Sequence, residues 1–493
     1  MDGRHWLSRL FRAISRDQSG NAAVVFCFCA VPLAAGAGLA IDTMLAYSVE
    51  DQLQKSLDAA GLAAGRTASP EDVEADARSY FNTNFDAGTG FARLDDFDVV
   101  VNEVGDELTL TASAQMQTRF MRLFGKDTVN VAARTVINRQ TRGMELALVL
   151  DNTGSMVDDN KIGGLKTAAH DLMTILYGDK NTARDLWVAV VPYIAAVNVG
   201  TGNKSFLAAS DRVNTKPGDF SPDSWEGCVL ARATPRDQND DPPSAAPFAS
   251  YLYPDVTSPS TTGWQNDWGT GRSPKTRKYV TSKSGVEYWE GYGPNVGCPS
   301  AITPLVPEKS KITAAIDAQR PWYRGGTIIS EGLVWGWRVL SPRWRGLWSG
   351  ADATMPLDYA NADTDKVIVL LTDGDNQMLV QQDSNKLVSP YTAYETHTKL
   401  GVTITDKNKG TEATNAAKTL LDTKTTNICT AIKNRGVLIY TISFGSSPST
   451  AGQALLRSCA TRPEFYFHSP NSSALRTAFR TIGGQLSNLR IAQ

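Results

Sequence analysis

Leu146-Ala147-Leu148-Val149-Leu150-Asp151-Asn152-Thr153-Gly154-Ser155-Met156 is the stretch on which the fold turns. Five successive apolar residues without polar alternation read as a strand buried on both faces. The run stops at a carboxylate, and hydroxyls follow at Thr153 and Ser155. A sharp turn at Gly154 aims Asp151, Thr153 and Ser155 at one point, and these are the hard oxygen donors that Mg2+ or Ca2+ prefers. Two distant segments supply more of the same chemistry. Arg324-Gly325-Gly326-Thr327 offers a hydroxyl at the mouth of a helix, and Lys366-Val367-Ile368-Val369-Leu370-Leu371-Thr372-Asp373-Gly374 is a second apolar strand ending in a carboxylate. Each piece also has a plain structural reading: Asp151 can cap the next helix, and Asp373 can open a turn with Gly374. Three such pieces in this order favour a single site.

The surrounding sequence has a matching pattern. Apolar strands at Leu186–Pro192, Val437–Ile442 and Phe465–Phe467 alternate with helical stripes at Lys166–Leu176 and Ser473–Leu486. The pattern predicts an α/β domain over residues 144–490, a doubly wound and mostly parallel sheet of Rossmann-like type with long loop insertions. Ligands of such sheets gather beyond the carboxyl ends of the strands, where Asp151 and Asp373 fall. The insertions span about 201–307 and 374–423. The first is rich in aromatics, among them Trp225, Tyr251, Tyr253, Trp264, Trp268, Tyr288, Trp289 and Tyr292, and the second carries Tyr391 and Tyr394. These side chains suit either recognition around an open site or a private small core.

At 493 residues the chain has room for two or three domains. Its net charge of −2 argues against nucleic acid as the main partner, because no basic stripe is available to meet phosphates. Arg4, Arg9, Arg12 and Arg16 precede an uncharged stretch from Asn21 to Ile41. That length matches the roughly 20 residues a helix needs to cross a bilayer. Basic residues on its N-terminal flank predict a cytoplasmic tail (1–20), a transmembrane helix (21–41) and an outward-facing remainder. A cleaved signal peptide is the competing reading, since Ala35-Gly36-Ala37 fits a small-x-small site. Ala46, Val49, Leu53, Leu57, Ala60 and Ala64 extend a helical stripe, and Asp72–Tyr80 reads as a further helix. Strands follow at 97–101, 107–112 and 129–136, with turn signals at Gly105-Asp106 and Gly125-Lys126. Residues 42–140 therefore read as a small pilin-like α+β region.

Cys228, Cys298, Cys429 and Cys459 form an even set without metal-ligand spacing. Pairing 228 with 298 and 429 with 459 closes each loop within its own region, whereas isolated buried thiols are the alternative for a cytosolic chain. Enzyme signatures are missing: there is no Walker A loop, Gly-x-Ser-x-Gly elbow or His-Glu-x-x-His pair. The four histidines, His5, His170, His397 and His468, adjoin no candidate nucleophile in sequence.

Asp151, Thr153, Ser155, Thr327 and Asp373 together resemble the metal-ion-dependent adhesion site (MIDAS) of von Willebrand factor A (VWA) domains. Thr153 stands where that family usually has Ser and keeps the hydroxyl. A second resemblance lies upstream. Arg16-Asp17-Gln18-Ser19-Gly20-Asn21-Ala22-Ala23-Val24-Val25-Phe26, Ala46-Tyr47-Ser48-Val49, the Leu53–Ala64 stripe and Phe120-Met121-Arg122-Leu123-Phe124-Gly125 look like TadG-like proteins of bacterial Flp (type IVb) pilus assembly. Pilin leaders usually carry Glu five residues after the cleaved bond. A cut after Gly20 would leave Val25 there, so no such processing and no pilin-like polymerisation are expected.

The resemblances imply a non-enzymatic adhesion or assembly protein of Flp pilus biogenesis. It would be single-pass in the bacterial inner membrane, with its bulk periplasmic or otherwise outward-facing. Its site would hold Mg2+ or Ca2+, with Mn2+ as a further candidate, and accept a carboxylate from a pilus-assembly or surface partner. The alternatives are a scaffold with a purely structural metal site and an exported enzyme using the insertion as a cleft.

Overall fold

A computed structural model of the protein describes residues 21–65, 70–85, 92–102, 107–138, 142–213, 225–254, 266, 279–323, 325–383, 385–446 and 448–491. The expected tail 1–20, the turn at Gly105-Asp106, and Trp264, Trp268 and Arg324 lie outside the described residues. The chain divides into two compact units, one running to Thr141 with the last three residues and the other spanning Arg142–Arg490.

In the first unit, helix α1 (Asn21–Ala64) changes character along its length. Phe26, Phe28, Val31, Leu33, Leu39 and Ile41 are exposed, whereas Leu53, Leu57, Ala60 and Ala64 are fully buried. The second set recurs at three- and four-residue spacing, which places it on one helical face. Helix α2 (Pro70–Asn84) adds Val73, Ala77 and Phe81 to the same core. Against them lies an antiparallel meander of β1 (Ala92–Val101), β2 (Glu107–Gln117) and β3 (Thr128–Asn138). Strict alternation along β2 turns Leu108, Leu110, Ala112 and Ala114 to the helices, as a two-residue repeat requires. By length and composition, α1 contains a stretch able to cross a membrane.

The second unit is built on β4 (Gly143–Asp151), α3 (Lys161–Tyr177), β5 (Leu186–Tyr193), β6 (Val197–Asn198) and β7 (Cys228–Val229). The chain continues through the hairpin β8 (Tyr279–Lys283) and β9 (Val286–Glu290), then β10 (Thr303–Val306), α4 (Lys309–Asp317), α5 (Ile329–Leu340) and β11 (Thr364–Thr372). A small hairpin β12 (Gln381–Asp383) and β13 (Lys386–Val388) precedes α6 (Gly410–Lys433), β14 (Leu438–Phe444), α7 (Thr450–Cys459), β15 (Tyr466–Ser469) and α8 (Ser472–Ile491). The main sheet runs in the order β15-β14-β11-β4-β5-β6-β7, with β10 antiparallel to β5. Its five strands from β15 to β5 are parallel.

Helices cover both faces of this sheet. Leu146, Leu148 and Leu150 pack with residues of α3, α4 and α8, while Ala147 and Val149 pack with residues of α5, α6 and α7. Burial on both sides explains why β4 and β11 read as unbroken apolar runs. Each buried Leu or Val contributes about 2 kcal/mol by transfer from water.

Two features depart from the sequence reading, and both expected disulfides are present. Helix α6 begins at Gly410, inside the stretch read as a polar loop to about 423. Its inward face uses Ala413, Ala417, Leu421, Ile428 and Ile432, and the small residues among many Thr and Lys hide the stripe. The first insertion also contains strands and packed aromatics. Trp225, Tyr251 and Tyr253 are buried, and Tyr251 and Tyr253 cluster with Val296 and both sulfurs of the Cys228–Cys298 disulfide. Tyr251 and Tyr253 thus serve a private core, whereas Trp225 joins the main core of the sheet. A second disulfide joins Cys429 of α6 to Cys459 of α7.

Candidate metal centre

Chain direction fixes where the site lies. From β4 the chain winds through α3 to β5 on one side, and from β11 it winds through α6 to β14 on the other. The carboxyl ends of β4 and β11 therefore flank a topological switch point, where the crossover helices diverge and leave a crevice. Register sets the two carboxylates level: Leu150 pairs with Leu371, so Asp151 ends its strand beside Thr372 and Asp373 follows.

Asp151 is fully buried and tied down by neighbours. Its Oδ1 accepts the Thr153 amide at 2.8 Å, and its Oδ2 accepts the Thr372 hydroxyl at 2.7 Å. The Tyr193 hydroxyl reaches the same Oδ2 at 3.5 Å. Asp151 does not cap α3, whose N-cap is Asn160. Ser155 Oγ donates to Asp373 Oδ1 at 2.7 Å and lies 3.2 Å from Thr153 Oγ1. Four oxygen-bearing side chains are thereby joined in one connected cluster.

Thr327 arrives by a different route. Its backbone pairs with Gln377 in both directions, at 3.0 and 2.7 Å, and Asn376 Oδ1 accepts the amide of Ile329 at 2.9 Å. The loop after Asp373 thus zips the segment before α5 into place. Thr327 lines a cavity of about 260 Å3 together with Thr153, Ser155, Asp158, Trp322 and Tyr323. The β8–β9 hairpin backs this wall, with Trp289 against Trp322 and Tyr288 against Tyr323.

Electrostatics make the cluster receptive to positive charge. Burial, and then the adjacent Asp373 carboxylate, push the Asp151 carboxyl up to about 7. Lys161 Nζ already meets Asp373 Oδ2 at 2.7 Å and the Ser155 carbonyl at 3.4 Å. Sequence reasoning missed Lys161, Thr372, Tyr193, Asn376 and Gln377. Only Thr372, adjoining Asp373 at the strand end, had a local signal.

Among the described residues, no three Asp, Glu, His or Cys side chains gather as a metal-holding group. The cavity itself is lined by the hydroxyls of Thr153, Ser155 and Thr327 and by Asp158, while Asp151 and Asp373 are fully buried and do not line it. All are hard oxygen donors, fitted to a hard divalent cation and unsuited to a soft one. The described histidines bond outside the cluster: His170 meets Asp317 on the helix surface, His397 meets Ser389 and His468 meets Ser443.

Strand order, helices on both faces and an oxygen cluster at the switch point give a doubly wound α/β domain that resembles the von Willebrand factor A type. Upstream, residues 20–67 match the family described as "Putative Flp pilus-assembly TadE/G-like". The chain therefore joins a segment similar to that family to a doubly wound α/β domain. No curated protein matches its sequence. Among solved structures, it is similar to the vWF domain of the type V pili tip protein Mfa5 from Porphyromonas gingivalis, at 11% identity and TM-score 0.35, over 72% of this chain and 97% of that one. Proximal thread matrix protein 1 from the mussel byssus aligns at 13% identity and TM-score 0.30, over 70% of this chain and 47% of that one. The pilus adhesin RrgA from Streptococcus pneumoniae aligns at 10% identity and TM-score 0.33, over 79% and 48% respectively. The chain thus spans about half the length of the mussel and streptococcal proteins.

Proposed function

We propose that this chain is a membrane-anchored, non-enzymatic adhesion or assembly protein of Flp pilus biogenesis. Residues 21–41 would cross the bacterial inner membrane, 42–140 would form the TadG-like region, and the VWA domain at 144–490 would meet a protein partner on the outward side. The observation that carries the reading is the cluster at the switch point: Ser155 bonded to Asp373 and adjacent to Thr153, beside a cavity that Thr327 also lines. Thr153, Ser155 and Thr327 would hold Mg2+ or Ca2+ by their hydroxyls, with Asp151 and Asp373 acting directly or through water. A cation bound there supplies an electrophilic centre for a carboxylate of the partner. Tyr193 and Thr372 keep Asp151 oriented, and Gln377 holds the Thr327 segment at the cavity wall.

Calorimetric titration of Mg2+ and Ca2+ into the full chain and into Asp151→Ala tests the site, alongside surface attachment of cells carrying each form. Saturable binding and attachment, both lost in the variant at normal protein levels, are expected. Equal binding by both forms would end the proposal. One observation favours a scaffold with a structural site instead: Lys161 already supplies a buried positive charge to Asp373. On that reading Asp151→Ala lowers stability and leaves attachment intact.

A further inference from the structure

Asp42 is the first charged residue after the uncharged stretch of α1, and it is fully buried. Its carboxylate accepts three consecutive backbone amides from one turn: Arg119 at 3.0 Å, Phe120 at 2.8 Å and Met121 at 2.6 Å. The turn is thereby fixed at a definite height along the helix. Phe120 marks the same height, because a Cβ on Gly38 would lie 2.7 Å from its Cβ and Cγ. Gly38 and Asp42 are one helical turn apart, so the segment docks where the uncharged stretch ends. From Asn21 to Ile41, at about 1.5 Å per residue, that stretch matches the roughly 30 Å of bilayer hydrocarbon.

The tip of this turn is apolar and uncovered. Met121–Phe124 form a single 3-10 turn, closed by Gly125 at φ +82, whose amide returns to the Arg122 carbonyl. Below it, Thr118 and Asp127 are joined by a backbone hydrogen bond of 3.0 Å. Leu123 is 75% exposed and Phe124 65% exposed, a poor arrangement for a turn immersed in water. Arg122 and Lys126 flank them and are also exposed. Exposed Leu39 and Ile41 of α1 lie at the same height. Apolar tips beside basic side chains at the end of a membrane span match the chemistry of a phospholipid interface, with acyl chains for the first and phosphates for the second.

We propose that the turn Phe120–Phe124 sits in the lipid leaflet through which α1 emerges, so that Leu123 and Phe124 insert beside the helix and Asp42 holds them at that depth. The proposal rests on the reading of residues 21–41 as a retained membrane helix. Its role would be to fix the tilt and height of the first unit against the bilayer, which a lone helix does not do.

Nitroxide labels on the full chain, reconstituted in phosphatidylcholine–phosphatidylglycerol vesicles, test both steps separately. With Cys27 and Cys29 replaced by Ser, single cysteines are placed at Leu33, Lys55, Leu123 and Phe124, and collisions with O2 and with a water-soluble nickel chelate are compared. Leu33 is expected to favour O2 strongly and Lys55 the chelate. Labels at 123 and 124 are expected to favour O2 at shallower depth, and to revert to the Lys55 pattern when Asp42→Ala is added. If Leu33 reads as membrane-embedded while 123 and 124 match Lys55, the proposal fails and the anchor stands. Labels at 123 and 124 shielded from both reagents would mean a protein neighbour and also overturn it. A Leu33 label in water would remove the anchor and the proposal together.

Discussion

Lys161 Nζ lies 2.7 Å from Asp373 Oδ2, and both side chains are buried. One ammonium thus shares a crevice with two carboxylates, Asp373 and Asp151. The pair ties the start of α3 to the end of β11, so the two sides of the switch point are joined by charge as well as by register.

Lys161→Met should therefore leave Asp373 buried beside Asp151 without its counterion. Breaking such a pair from one side costs about 3–5 kcal/mol. Thermal unfolding in chelator and in Mg2+ checks this: the variant should be destabilised in chelator and should recover more than the wild type when Mg2+ is added. Equal Mg2+ responses in the two proteins would show that the ammonium and the cation do not share the site.

Gly326 has φ +90, and a Cβ there would fall 2.3 Å from the Gln377 carbonyl oxygen. Gly326→Ala should force the Thr327 segment off the 373–377 loop, at a cost of about 2–3 kcal/mol. Gly374→Ala, whose Cβ would meet nothing within 4 Å, serves as the control. Urea midpoints and Mg2+ titration should show loss in the first variant and little change in the second.

Burial lifts the Glu331 carboxyl to about 7, against the pull of Arg338. A carboxyl whose native pKa lies above its unfolded value binds more protons when folded. Its contribution to stability is complete below about pH 4 and is lost as pH rises towards 7, by about 3 kcal/mol in all. Glu331→Gln should flatten that slope. Urea unfolding at pH 5 and pH 8 measures it, and an unchanged slope in the variant would assign the pH dependence elsewhere.

The Cys429–Cys459 disulfide joins α6 to α7 across a separation of 30 residues. In the chain-entropy model a loop of that size is worth about 4 kcal/mol. Replacing both residues by Ser should lower the urea midpoint accordingly and leave cation affinity close to that of the wild type, since neither cysteine lies in the cluster.

The sequence alone determined the elements whose physics is local. Apolar continuity in Leu146–Leu150 and Val367–Leu371 announces strands buried on both faces, and a carboxylate at each end marks the side on which ligands gather. The uncharged run Asn21–Ile41 likewise announces its own length against a bilayer. Helix α6 stayed hidden from Gly410 onwards, because Ala413 and Ala417 are apolar enough only when another surface covers them. Tertiary structure decided the rest. Register between β4 and β11 set Asp151 beside Thr372, and Gln377 carried Thr327 to the cavity. Lys161 reached Asp373, more than two hundred residues away in the chain, across the crevice. Asp42 likewise bound a turn that lies far along the chain. Such contacts depend on the path of the backbone between the partners, and no local pattern of residue types encodes that path.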